Sequence, residues 1–105
     1  MTIRELLTLM PSQAVEDGEL CAYALLGMSL LVCRLEGEVR VFENRCPVDG
    51  ASLDSGRLAG AILHCPKHQG SWDLRSGRPV TGQDNQALRR FDVFEHDGSI
   101  QIVTG

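Results

Sequence analysis

The sequence predicts an all-β domain, a small antiparallel sandwich or barrel. Three observations lead there. The apolar segments are short and follow one another at short intervals. Glycine-bearing turns separate them, two with strong hairpin character. The chain also carries 11 glycines but only 5% aromatic residues, a balance that favours many turns over long helices. At 105 residues the chain has the length of one domain, spanning 1–105.

Residues 3–10 (Ile-Arg-Glu-Leu-Leu-Thr-Leu-Met) are compatible with a helical turn or a first strand. The segments 20–26 and 29–35 are short and apolar, and Glu36-Gly37-Glu38 turns the second back into Val39-Arg40-Val41-Phe42, a hairpin. A further apolar run, 59–63, lies within 57–64 and leads directly into Cys65. Residues 90–95 and 99–103 flank His96-Asp97-Gly98, a second hairpin. Between Asn44 and Gly82 two loops interrupt this rhythm, one around Cys46 and one around Cys65.

Composition narrows the function. With 43% apolar and 23% charged residues the chain can bury one modest core. Ten Lys+Arg against 14 Asp+Glu give a net charge of −4 with no basic block, which argues against nucleic acid or an anionic membrane as partner. No apolar run approaches the ~20 residues of a membrane span. Met1-Thr-Ile-Arg-Glu lacks the pattern of an export signal, so a cytoplasmic protein is expected. In that reducing compartment two disulfides are the weaker explanation of four cysteines. Cys21 and Cys33 sit in apolar runs and read as small core hydrophobes. Cys46 and Cys65 are each followed by proline in polar, glycine-containing loops, a context that suggests metal.

The two loops read Cys46-Pro47-Val48-Asp49-Gly50 and Cys65-Pro66-Lys67-His68-Gln69-Gly70. A thiolate and an imidazole at the Cys65-x-x-His68 spacing can reach one metal from a tight turn. With these loops and their flanks (Asn44-Arg45-Cys46-Pro47, Gly50-Ala51-Ser52-Leu53, Ser55-Gly56-Arg57-Leu58, Ser71-Trp72-Asp73-Leu74-Arg75-Ser76-Gly77 and Asp97-Gly98-Ser99-Ile100-Gln101-Ile102), nearly the whole chain resembles the Rieske iron–sulfur family. Its nearest likeness is to the small ferredoxins of bacterial ring-hydroxylating oxygenases. The resemblance implies an antiparallel β-sandwich with a small subdomain of two cluster-binding loops within 44–82. It also implies a 2Fe–2S cluster with Cys46 and Cys65 on one iron and His68 on the other.

The family pattern places a second histidine two residues after the first cysteine; here that residue is Val48, which cannot ligate. Asp49 is the adjacent substitute, and solvent is another. His64 is expected to end a strand facing away from the site, and His96 to be a solvated turn residue. Three outcomes stay open: a 2Fe–2S cluster, no cluster, or a single zinc or iron on a Cys₂His set.

The extra cysteines of respiratory relatives are replaced by Ala51 and Lys67, and their hydroxyls near sulfur by Gly70 and Trp72. With fewer hydrogen bonds to sulfur, the potential is expected toward the low end of the Rieske range, roughly −150 mV. Residues 81–86 lack the proline of the family's shielding loop. Trp72 reads as a packing residue beneath the second loop.

The resemblance implies an electron carrier between a flavin-containing, NAD(P)H-dependent reductase and a terminal oxygenase, with no catalysis of its own. His68 at the loop tip would lie on the electron's exit route. The alternative is a degenerate domain, similar to the ferredoxin-like small subunits of some nitrite reductases, that binds or assembles without a normal cluster. A third reading has an open coordination position that binds a small ligand.

Overall fold

The computed structural model describes residues 5–25, 27–47, 50–65, 70–81 and 86–104. They form ten strands in two antiparallel sheets. The first contains β1 (Glu5–Pro11), β2 (Leu20–Leu25), β3 (Met28–Leu35), β4 (Glu38–Glu43), β9 (Arg90–His96) and β10 (Ser99–Thr104), in the order β1-β10-β9-β4-β3-β2. The second, smaller sheet runs β5 (Arg57–Ala59), β6 (Ile62–His64), β7 (Ser71–Asp73) and β8 (Arg78–Thr81) in chain order. Short 3₁₀ turns at Ser12–Ala14 and Leu53–Ser55 complete the regular structure. None of the described helices is long and apolar enough to cross a membrane.

The large sheet curls on itself. Leu9 of β1, Ile100 and Ile102 of β10, Phe91 of β9 and Leu30 and Val32 of β3 share one buried cluster, although β1 and β3 are far apart in strand order. The opposite face of β3 carries Leu31, Cys33 and Leu35, which pack with Phe42, Leu63, Trp72 and Leu74 in a second cluster shared with the small sheet. β3 is therefore covered on both faces. That accounts for the unbroken run Leu30-Leu31-Val32-Cys33, all fully buried, where a half-exposed strand would alternate.

Both expected hairpins form with two-residue turns. Leu35 pairs with Glu38 across Glu36 (φ 54°) and Gly37 (φ 83°), and His96 pairs with Ser99 across Asp97 (φ 50°) and Gly98 (φ 74°). Two successive positive φ angles match the twist of the flanking strands, a geometry that glycine and aspartate tolerate well. The opening segment, compatible with helix or strand from sequence, is strand β1, because β10 offers it an edge. The run 59–63 is split: Ala59 pairs with Ile62 across Gly60-Ala61, giving β5 and β6 in place of one strand. β7 and β8 are short and partly polar, and no apolar run announces them.

Cys21 and Cys33 are not joined to each other. Leu20 pairs with Cys33 and Cys21 with Val32, so the two thiols lie on opposite faces of the sheet and each packs as a small hydrophobe. Burial pushes the Cys33 thiol up to about 12, far from thiolate formation. At the mouth of the curled sheet, the Arg34 guanidinium donates to the carbonyl oxygens of Val15 (2.9 Å), Ser12 (2.8 Å) and Gly37 (2.9 Å). It also holds Glu95 at 3.0 and 3.2 Å, and these hydrogen bonds keep the Glu95 carboxyl below its ordinary range.

One glycine has no room for a side chain. A Cβ at Gly56 would lie 2.3 Å from the His64 carbonyl oxygen and 3.1 Å from that of Leu53. Two backbones meet here, the turn that follows the first loop and the strand that leads into the second. Gly56→Ala is expected to cost about 1–3 kcal/mol through forced backbone displacement. An unfolding midpoint equal to wild type would refute this.

Candidate metal centre

Each cysteine-bearing loop leaves the end of a strand. β4 ends at Glu43 and is followed by Asn44-Arg45-Cys46; β6 ends at His64 and is followed by Cys65. Cys46 is fully buried and Cys65 is 6% exposed, and both join the buried cluster of Leu53, Leu63, Trp72 and Leu74 between the two sheets. The fold thus brings together two thiols that lie 19 positions apart in the chain.

The loops are closed alike. The Cys46 amide donates to the Ala51 carbonyl (2.8 Å), and the Cys65 amide donates to the Gly70 carbonyl (3.0 Å). In the first loop the Gly50 amide also donates to the Cys46 carbonyl (2.9 Å).

Asn44, which sequence reading passed over as mere flank, organises the first loop. It is 6% exposed, and its Oδ1 accepts from the amides of Leu53 (2.8 Å) and Asp54 (3.0 Å). Its Nδ2 donates to Ser29 Oγ (3.0 Å) and Asp54 Oδ1 (2.9 Å). One side chain therefore ties the start of β3, the end of β4 and the turn after the loop, two residues from Cys46. The sequence signal available was a short amide side chain at a strand end, the residue type that caps turns. Asn44→Ala strips the buried Leu53 amide and the part-buried Asp54 amide of their acceptor and is expected to cost about 1–3 kcal/mol. Urea unfolding measures this, and a loss below 0.5 kcal/mol (roughly the scatter of surface substitutions) would show that the network is dispensable.

Trp72 is fully buried in the cluster that contains Cys65, a packing residue as expected, and its Nε1 donates to the Gln86 carbonyl (3.1 Å). The indole thereby anchors the chain after Thr81-Gly82-Gln83-Asp84-Asn85 to the small sheet. His64 pairs with Arg57 and Ser71 on the face of β6 opposite the buried Leu63. His96 is exposed in its hairpin, 3.2 Å from Asp97. Both fit the expectation for them.

Val48, Asp49 and His68, with Pro66, Lys67 and Gln69, lie outside the described residues. Among the described residues no three His, Cys, Asp or Glu side chains form a metal-binding group.

Comparison with known proteins identifies the fold. A family model, the Rieske [2Fe-2S] domain, matches residues 5–92. The chain belongs to the Rieske family. Among curated proteins, this Rieske domain is 28% identical over 79 residues to the ferredoxin component of a naphthalene 1,2-dioxygenase system of Pseudomonas aeruginosa, covering 75% of this chain and 76% of that one. Its structure matches the Sphingomonas yanoikuyae B1 ferredoxin with a TM-score of 0.87 at 31% identity, over 96% of this chain and all of the other. It also shares the fold of a chain in the complex of reduced oxygenase and oxidised ferredoxin of carbazole 1,9a-dioxygenase, with a TM-score of 0.84, 24% identity and coverage of 92% and 91%.

The family implies a [2Fe–2S] centre with two cysteine and two histidine ligands. The two buried thiols on matched loops fit the all-sulfur iron of such a centre. Two residues after Cys46 the chain carries Val48, whose isopropyl group has no donor atom.

Proposed function

We propose that this Rieske domain is the ferredoxin component of a ring-hydroxylating oxygenase system, taking single electrons from an NAD(P)H-dependent flavin reductase and delivering them to a terminal oxygenase. The observation that carries the reading is the pair of matched loops presenting Cys46 and Cys65 from one buried cluster, in a chain whose relatives are ferredoxin components. Cys46 and Cys65 would hold one iron of the cluster and His68 the other. A bound [2Fe–2S] centre accepts and releases one electron at a time. The protein supplies the rest. β4 and β6 lead into the two loops, Asn44 ties the first to its neighbours, and Trp72 packs in the buried cluster that holds both cysteines. The chain is a single unit of 1–105, with no chemistry apart from its partners. The carbazole dioxygenase complex, in which oxygenase and ferredoxin are bound together, supports the terminal oxygenase as the electron acceptor.

Val48 favours a second reading, in which Cys46, Cys65 and His68 hold a single zinc or iron, or the domain serves as an assembly subunit without a cluster. One experiment separates them: iron and acid-labile sulfide per chain on anaerobically purified protein, with absorption and EPR spectra of the same sample. The expected result is two irons and two sulfides with a Rieske-type signal after reduction. Metal without sulfide would establish the mononuclear site, and absence of both would establish the scaffold.

A further inference from the structure

We infer that the electron-transfer partner meets this domain through an acidic surface, seated against two arginines, Arg45 and Arg89, beside the first cysteine loop. The inference rests on the electron-carrier reading above and adds the charge of the partner's docking face.

The net charge of −4 taken alone suits a basic partner. The fold, however, distributes charge unevenly. β3 and β4 run between two ends of the large sheet, about 20 Å apart at ~3.3 Å per residue. One end is the β3–β4 turn. There Asp17 accepts from the Gly37 amide (2.7 Å), and Arg34 joins the Gly37 carbonyl (2.9 Å) to Glu95 (3.0 Å). The segments 16–19, 36–38 and 95–97 therefore meet at this end, and they hold seven of the 14 acidic residues.

The end that bears Cys46 differs. The Glu43 amide donates to the Arg89 carbonyl and the Asn44 amide to the Ser29 carbonyl, both at 2.9 Å. These bonds gather the start of β3, the end of β4 and the approach to β9 around an open cavity of about 330 Å³. Met28, Glu43, Asn44, Arg45, Gly50 and Arg89 line it. Arg45 is exposed and lies along the loop, its Nε 3.7 Å from where a Cβ on Gly50 would stand. Among the described residues no carboxylate pairs with it. The Arg89 guanidinium stands over the Phe91 ring, 5.0 Å from its centroid, and Glu43 offsets part of its charge at 3.5 Å. With one carboxylate against two guanidinium groups, the cavity is basic. Asp54 binds Asn44 Nδ2 (2.9 Å) on the turn after the loop and does not line the cavity. The loops themselves add one charge of each sign, Asp49 and Lys67.

Arg45 directly precedes Cys46, so a partner held by the two arginines sits against the loop that would carry one iron. A basic surface would instead be drawn to the carboxylates at the far end, away from the cysteines. Charge thus steers an acidic partner to meet the domain loop first.

The test uses reduced holoprotein and two one-electron oxidants of opposite charge, the ferricyanide trianion and the hexaammineruthenium(III) trication. In each reaction the reduced centre gives one electron to the oxidant, with no bond made or broken. Ferricyanide oxidation should slow as salt rises from about 0.01 M to about 0.15 M, because screening removes an attraction, and the trication should show the opposite trend. Net charge alone predicts both trends reversed. At about 0.1 M salt, where charges more than ~10 Å away are largely screened, Arg45→Glu/Arg89→Glu should slow ferricyanide about tenfold. Arg45→Gln should slow it less, and Glu16→Lys at the far end should change it by less than about twofold. Iron and sulfide on each variant separate a slower reaction from a lost cluster, and the wild-type trends need no variant. Ferricyanide oxidation of wild type that quickens with salt would overturn the inference. So would arginine reversals without effect, or a Glu16→Lys change as large as theirs. Absence of iron and sulfide from wild type would instead overturn the proposed function, and the inference with it.

Discussion

Cys65→Ser is expected to yield a folded protein without bound cluster. The thiolate is the ligand, and a serine hydroxyl at neutral pH remains protonated and binds iron poorly. Cys65 sits at the entrance of a loop whose closing bond is made by its own backbone amide, so the side-chain change leaves that bond in place. Cys46→Ser should behave in the same way. Cys33→Ser should do the reverse. Its thiol lies fully buried on the strand covered on both faces, where a hydroxyl costs more to desolvate than a thiol, yet it takes no part in the loops. Iron per chain and a thermal unfolding curve on the three variants separate the roles. A Cys65→Ser protein that retains wild-type iron and sulfide would remove the basis for the metal centre.

Trp72→Ala should be the most destabilising single change in the small sheet. The side chain is the largest among those fully buried, and it packs in the cluster that contains Cys46 and Cys65. Truncating a buried tryptophan costs about 3–5 kcal/mol. For a domain whose total stability is of order 5–15 kcal/mol, that leaves little margin. Trp72→Phe keeps most of the volume and loses the indole hydrogen bond to the Gln86 carbonyl, so a penalty of about 1 kcal/mol is expected. The difference between the two variants divides packing from anchoring of the chain after β8. Equal stability of Trp72→Ala and wild type in urea would show that the small sheet has another core.

Much of this was legible in the chain itself. The two hairpins were readable because Gly37 and Asp97-Gly98, which accept positive φ, stand between β-prone segments, and such turns are decided locally. The packing role of Cys21 and Cys33 was readable too, because both lie among leucines and valines. What escaped the sequence was non-local. β1 is a strand because β10 pairs with it some ninety residues away, and residues 3–10 carry no sign of that edge. β5 and β6 looked like one apolar run because glycine and alanine at the turn do not interrupt hydrophobicity. β7 and β8 owe their existence to pairing with β6, since three or four mixed residues have little strand preference of their own.

The candidate site divides in the same way. The donor types, the Cys65-x-x-His68 spacing and the absence of a donor at Val48 are properties of the chain alone, because a side chain's capacity to bind metal is written in its chemistry. Nothing in the chain said that Asn44 would knot three segments together, that a carbonyl would fill the space of a side chain at Gly56, or that the two cysteine loops would close with equivalent bonds. Each of these depends on backbones brought together by the packing of one sheet against another. The sequence by itself determined which atoms are available to hold a metal and where the chain turns. Only the tertiary structure decided which of those atoms share a core and in what register, because that depends on the pairing of strands distant in sequence.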